Sequence, residues 1–217
     1  MPYFDAHLEK VSKIDAPLLV CGLGGTGADG VRHIKHEFAQ RFVSECLGSV
    51  ELDRPPRTAY LVLDTDPGEI AKRYHGTAFD RDSEFINLQS DIGYLLSADG
   101  HNLSPQQRIW LDRAFYRNPD LRKNAATNGA GTYRQLSRLM MFRKAREVIS
   151  KLGALLTRLS ELPQGAPVGA KYINVVVVTG LSGGTGSGSF LDFAYMLHQA
   201  AKQQNLEIKV DLYAVAP

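Results

Sequence analysis

Cysteine is scarce in this 217-residue sequence, and so are long apolar runs and charge of one prevailing sign. Cys21 and Cys46 are its only cysteines, which excludes a disulfide framework and any paired zinc spacing. A reducing cytosol is the compartment that fits such usage. The longest apolar stretch, around Val175 to Val178, is far too short to span a bilayer. The first twenty residues are mixed polar and lack the basic start and apolar core of a signal peptide. A formal net charge of +2 exerts no global pull toward nucleic acid or a membrane surface. These absences point to a soluble, cytoplasmic protein. Its length is sufficient to bury a real core, and 44% hydrophobic residues can supply one.

The chain alternates apolar runs with helical periodicity. Pro17 to Cys21 reads as a buried strand that stops at glycines. From Ala28 the spacing turns helical, with Val31, Ile34, Phe38 and Phe42 on one face. Ala59 to Leu63 forms a second strand ending in Asp64-Thr65-Asp66-Pro67, and Phe85 to Leu88 a weaker third. Ser104-Pro105 opens a helix expected to run to about Tyr116, because Ser caps well and Pro suits the first helical position. The longest helix spans about Tyr133 to Leu159, with a Leu/Met stripe that reads as core. Ile173 to Thr179 is a strand so rich in β-branched residues that both its faces should be covered. A helix from Ser189 to about Gln203 and a strand from Ile208 to Val215 complete the order. Strand, loop and helix in repetition predict a three-layer, Rossmann-like α/β fold, a parallel sheet with helices on both faces.

Two glycine loops carry the chemistry. Gly22-Leu23-Gly24-Gly25-Thr26-Gly27 joins a strand to a helix, whose positive end would face the loop and favour a phosphate. Alone it matches the dinucleotide fingerprint, with Asp64 ending the next strand like a ribose acceptor, though nearly twice the usual distance downstream. No Walker lysine follows, which argues against a P-loop enzyme. Ser182-Gly183-Gly184-Thr185-Gly186-Ser187-Gly188-Ser189 is richer in hydroxyls, which offer donors around an anion. Two such loops on one parallel sheet suggest one polyphosphate held from both sides. Gly186→Val is accordingly expected to abolish ligand binding while sparing the fold.

These segments resemble the tubulin/FtsZ superfamily. Its signature G-G-G-T-G-S/T-G is met by Ser182 to Gly188 with only the first residue changed, Ser for Gly. Cys21 to Val31 resembles the first FtsZ loop, with Asp29 at the Asn position, and Leu63 to Pro67 resembles both the FtsZ N-T-D and the tubulin V-D-L-E-P segments. Gly129-Ala130-Gly131, with Arg138 further on, is similar to the FtsZ segment that faces the γ-phosphate. The resemblance runs from about residue 17 to the end of the chain. It implies a tubulin/FtsZ-type GTPase domain over residues 1–217, binding GTP or GDP with Mg²⁺ and self-associating into filaments. The implied nucleotide contacts are Gly24, Gly25, Thr26, Gly27, Asp29, Asp64, Asp66, Gly129, Ala130, Gly131, Ser182, Gly183, Gly184, Thr185, Gly186 and Ser187. Residues of about 90–124 look like an insertion relative to FtsZ. Because Pro217 falls about where the family's ribose-contacting loop begins, the resemblance also implies a C-terminal truncation. The guanine-gripping central helix and the acidic loop that activates water would lie beyond it. The chain alone, with no catalytic residue assigned, is then not expected to hydrolyse GTP well.

Several residues carry two readings. Asp66 either orients the hydration shell of Mg²⁺ or caps the helical turn starting near Pro67, and both can hold. Asp29 either accepts hydrogen bonds from guanine or is an acid favoured in a helix first turn, and the second is preferred; Asp192 reads the same way. His33 and His36 share a helix face without a third ligand at suitable spacing. The basic residues between Arg108 and Arg158 fit a solvated face or a filament contact better than nucleic acid, since no aromatic interleaving accompanies them. The leading expectation is therefore a GTP-binding, filament-forming cytoskeletal protein. The alternatives are an NAD(P)-binding Rossmann oxidoreductase and a non-polymerising tubulin-like scaffold.

Overall fold

A computed structural model of the chain describes residues 17–45, 57–97, 100–118, 130–161 and 172–216. Strand β1 (Leu18–Leu23) leads directly into α1 (Gly24–Glu45), and β2 (Thr58–Asp64) into a 3₁₀ turn (Pro67–Ala71) and β3 (Phe85–Asn87). Three short helices follow, α2 (Gly93–Leu96), α3 (Pro105–Trp110) and α4 (Ala114–Arg117), then the long α5 (Arg134–Ser160). The chain closes with β4 (Ile173–Gly180), α6 (Thr185–Gln203) and β5 (Ile208–Val215). The five strands form one sheet in the order β3-β2-β1-β4-β5, and every neighbouring pair is parallel.

Parallel strands need crossovers, and crossovers place helices on the faces, so the inner strands must be apolar on both sides. Every residue of β1 and β2 is buried. Along β4, Ile173, Val175 and Val177 join the core built by α5 and α6, whereas Val178 turns to the opposite face with Ala28 and Val31 of α1. The expected two-sided covering of β4, and with it the three-layer α/β fold, is borne out. Ile34 and Phe38 complete the buried face of α1, and Phe42 lies outside the described side chains.

Helix α5 bridges two cores. Its second half, from Met141 to Leu159, packs on the sheet, while Leu136, Leu139 and Met140 pack against Ile92, Leu96, Leu103, Leu111 and Phe115. The helix expected from Ser104 to Tyr116 is divided. Ser104 and Gln107 form a reciprocal capping box at the start of α3, but Leu111 turns extended to reach that small core. Asp112 then accepts the Ala114 N–H at 2.9 Å and starts α4. Among the described residues β5 is an edge strand, with Leu212, Tyr213 and Val215 exposed.

Candidate functional site

The carboxyl ends of β1, β2 and β4 stop level with one another, since Leu23 lies in register with Leu63 and Thr179. The loops that follow enclose a cleft of about 400 Å³ at the place where open parallel sheets bind ligands. It is built from glycine backbones on one side and acidic side chains on the other.

The first glycine segment is mostly helix. Gly24 takes φ +71° and turns the chain straight from β1 into α1, four residues earlier than the apolar spacing from Ala28 predicts. A β-carbon on Gly24 would stand 2.9 Å from the Gly186 nitrogen, so the two loops meet backbone to backbone. Gly27, expected at the ligand, instead packs into the sheet, where a β-carbon would lie 2.4 Å from the Val178 carbonyl oxygen. Gly25 is different. Its nearest obstacle is the Glu69 carboxylate at 3.5 Å, and Gly25 and Thr26 line the cleft.

The second segment repeats the design. Helix α6 starts at Thr185 rather than Ser189, and Gly184 at its N-cap has no side-chain hydrogen bond. The first-turn N–H groups of α1 and α6 have no intrahelical acceptor, and both turns line the cleft. Gly184 is pressed on the Gly131 carbonyl oxygen, 2.2 Å from where a β-carbon would sit, and Gly186 on the Thr179 hydroxyl at 2.4 Å. A β-carbon on Gly183 would meet nothing within 4 Å. Of the expected hydroxyls, Thr185 lines the cleft while Ser182 and Ser187 do not, and Ser187 donates back to the Gly183 carbonyl of its own loop.

Opposite stand Asp64, Thr65 and Asp66. The buried Thr185 hydroxyl donates to the Asp64 carboxylate at 3.2 Å and lies 2.7 Å from the Thr65 hydroxyl, which accepts the Ala130 N–H at 3.2 Å. One network thus ties the β2 loop, the second glycine loop and the segment at Gly131 together. Burial raises the Asp64 pKa above the ordinary carboxylate value, with nearby Glu69 adding to the effect. Asp66 accepts the Gly68 N–H at 2.8 Å and starts the 3₁₀ turn, so its capping role is real. It also lines the cleft.

Ten of the sixteen expected contact residues line the cleft: Gly24, Gly25, Thr26, Asp64, Asp66, Gly131, Gly183, Gly184, Thr185 and Gly186. Ala130 is buried behind it in the core under α5, and Gly129 lies outside the described residues. Asp29 sits on the outer side of α1, mostly exposed, 2.5 Å from Arg32. Arg138 is not at the cleft either. It pairs with Asp192 at 2.9 Å and stacks its guanidinium 4.6 Å from the Trp110 ring, so it fastens α3 and α6 to α5. Asp192 in turn lies beyond the first turn of α6, which begins earlier than expected. His33 and His36 pack edge-on against Tyr74, and no described group of three His, Cys, Asp or Glu is placed to hold a metal.

Glu69, Lys72 and Arg32 escape the sequence reading. Glu69 and Lys72 line the cleft, and Arg32 lies buried behind Glu69. One Glu69 oxygen pairs with Arg32 and the other with Lys72 at 2.7 Å. The available signal is Arg32 itself, four residues after Ala28 on the apolar face of α1, where a cation requires a buried carboxylate.

Residues 19–217 match the sequence model of the family described as tubulin like. Among solved structures, CetZ from Methanosaeta thermophila superposes with a TM-score of 0.50 at 14% identity over 93% of this chain, which shows the shared fold. FtsZ of M. jannaschii, an empty dimer, gives a TM-score of 0.42 at 15% identity over 97% of the chain. TubZ of Bacillus thuringiensis serovar israelensis, a GTPγS-form protofilament, gives 0.40 at 13% identity over 96%. The chain spans 37% of the CetZ chain and 40% of the other two. No curated protein sequence matches it. No helix among the described residues is long and apolar enough to cross a membrane.

Proposed function

Because the chain belongs to the tubulin-like family, we propose that the cleft binds the phosphates of GTP or GDP with Mg²⁺. The whole protein would then be a cytoplasmic, filament-forming GTPase whose site is completed by a neighbouring subunit, with 1–217 as its nucleotide-binding part and residues of about 90–124 an insertion. One observation carries this reading. Two helix N-termini, those of α1 and α6, converge on one cleft. Each presents a partial positive charge and unpaired N–H donors, an arrangement suited to anionic oxygens. Gly183 has open space beside its backbone, and Gly25 only an ordinary contact with Glu69 at 3.5 Å, so both backbones are open to an approaching phosphate.

The acidic wall fits a cation on the far side of that phosphate. Asp66 accepts the Gly68 N–H through Oδ1, and its Oδ2 can face the hydration shell of Mg²⁺, with Asp64 beside it. The cation would neutralise the phosphates and favour the ionised form of Asp64, whose pKa burial raises. A nicotinamide dinucleotide is a poorer occupant, since Asp64 lies nearly twice the usual distance beyond the first glycine loop for a ribose acceptor. The choice of guanine rests on the family.

Titration calorimetry of the full-length protein with GTP, GDP and NADH tests the ligand. Binding of the guanine nucleotides and not of NADH is expected, and tight NADH binding without guanine-nucleotide binding would overturn the reading. Sedimentation with GTP separates a filament from a non-polymerising scaffold. Phosphate release should rise more than linearly with protein concentration, because a neighbour completes the site, and strict proportionality would refute that mechanism.

A further inference from the structure

We propose that Lys72 is the chain's phosphate-binding lysine, delivered from the turn after β2 and parked on Glu69 until a nucleotide phosphate draws it away. The inference rests on the nucleotide reading above and adds a residue that neither the glycine loops nor the family signature contains.

A polyphosphate needs more positive charge than two helix ends supply, and the described cleft wall is otherwise acidic. Asp64, Asp66 and Glu69 line it, and Lys72 is the cationic side chain among the lining residues. In P-loop proteins the lysine comes from the first helix, directly after the glycine loop. Here that position offers Ala28 and Asp29, so no cation follows the loop. Lys72 approaches from the other side. Its Nζ sits 2.7 Å from Glu69 Oε2, and that oxygen is 3.5 Å from where a β-carbon of Gly25 would stand. The ammonium is therefore one carboxylate away from the open part of the first loop.

The pairing is built to be exchanged. The Lys72 side chain is 54% exposed, and the Glu69 side chain only 2%. A buried carboxylate stripped of its partners is costly, but Glu69 keeps Arg32 on its other oxygen when Lys72 leaves. Arg32 is held in place by two further bonds, to the Glu69 carbonyl oxygen at 2.8 Å and to Asp29 at 2.5 Å. Lys72 can thus move to a phosphate oxygen without leaving an uncompensated charge behind. A flexible four-carbon stem ending in a point charge suits such a transfer better than an arginine fork would. The Glu69 hydrogen bond keeps the ammonium protonated, holding its pKa above the ordinary lysine value.

The test compares Lys72→Met, Lys72→Arg and wild-type protein, full length, by calorimetry with GTP and GDP at low and high salt, with melting of each protein measured without nucleotide. Lys72→Met should weaken GTP binding roughly tenfold or more and lose much of its salt sensitivity, while Lys72→Arg restores most of the affinity. Melting of both variants should stay close to wild type, since Arg32 still compensates Glu69. Equal GTP binding by wild type and Lys72→Met would overturn the inference and leave the nucleotide reading intact. Loss of affinity in both variants together with earlier melting would also overturn it, showing that Lys72 only supports Glu69. Absence of any nucleotide binding by the wild type would overturn the nucleotide reading itself, and this inference with it.

Discussion

The two glycine loops have similar sequences and do two kinds of work. In the first, Gly22 and Gly27 let α1 press on β1 and β4, and Gly24 lets the first loop touch the second. In the second, Gly184, Gly186 and Gly188 lie against the backbones or side chains of Gly131, Thr179 and Arg134. Within these two loops, Gly25 and Gly183 are the cleft-lining glycines where a β-carbon would meet nothing closer than 3.5 Å. Glycine density in such a loop therefore reports mainly how closely the loops pack on one another.

The comparison breaks most visibly at Gly184 and Gly186. A β-carbon at either meets atoms 2.2 to 2.4 Å away, on the Gly131 backbone and the buried Thr179 side chain. Gly186→Val was expected from sequence to spare the fold, and the packing corrects that expectation. Gly184→Ala and Gly186→Val should each cost more than about 3 kcal/mol and lower the melting temperature by roughly 10 °C. Urea unfolding without nucleotide measures it. An unchanged midpoint would show that the loops are not held against each other.

Glu69→Ala comes next, and it tests the wall facing the first loop only. It removes the buried carboxylate from the buried guanidinium of Arg32 and leaves only the exposed Asp29 to pair with it, which should cost about 3–5 kcal/mol. Among the described residues Glu69 bonds to Arg32 of α1 and not to either glycine loop, so a shift of that size would show that α1 is anchored by a buried charge pair where the second loop is held by backbone contact. A shift below about 1 kcal/mol would contradict the buried pairing.

Gly25→Ala and Gly183→Ala sharpen the contrast, because stability and binding should separate. Nothing lies closer than 3.5 Å to the new methyl at either site, so unfolding should change by less than about 1 kcal/mol. Affinity for GTP should nonetheless fall roughly tenfold, about 1.4 kcal/mol, if phosphate approaches those backbones. Equal affinity in both variants would mean that the open spaces are not used.

Much of this was legible beforehand because burial writes long signals. Ala59 to Leu63 and Ile173 to Thr179 are apolar runs that only a doubly covered strand requires, and the observed strands extend them by a residue or two. The helix starts were illegible for the reason that makes them useful. Residues 24–27 and 185–188 carry no apolar periodicity, and Gly184 makes no side-chain cap, so the first turns look like coil. Arg138 misled because its partners, Asp192 and Trp110, become neighbours only through tertiary packing. The Arg32–Glu69 pair joins residues 37 apart, a distance no local pattern encodes.

The smallest effect concerns the carboxylate that links the loops. Asp64 ends β2, accepts from the first residue of α6, and has its pKa raised chiefly by burial. A raised carboxylate pKa means the folded state holds the proton more tightly than the unfolded chain. The associated stability is fully present below the ordinary value of 3.8 and is lost as pH rises through the folded pKa. Ionising Asp64 as the pH rises through that folded pKa therefore costs stability when no cation is near. Asp64→Asn keeps an oxygen that can accept from Thr185 and Asp66, and it removes the charge. It should melt slightly higher than wild type at pH 7 without nucleotide, and the gap should close as the pH falls toward 4. With GTP and Mg²⁺ present the order should reverse, because the wild-type carboxylate then faces a cation and the asparagine does not. A melting difference independent of pH would show that Asp64 is not ionised by burial-sensitive titration. A variant stabilised equally by Mg²⁺ and GTP would show that the two loops are joined by hydrogen bonding alone.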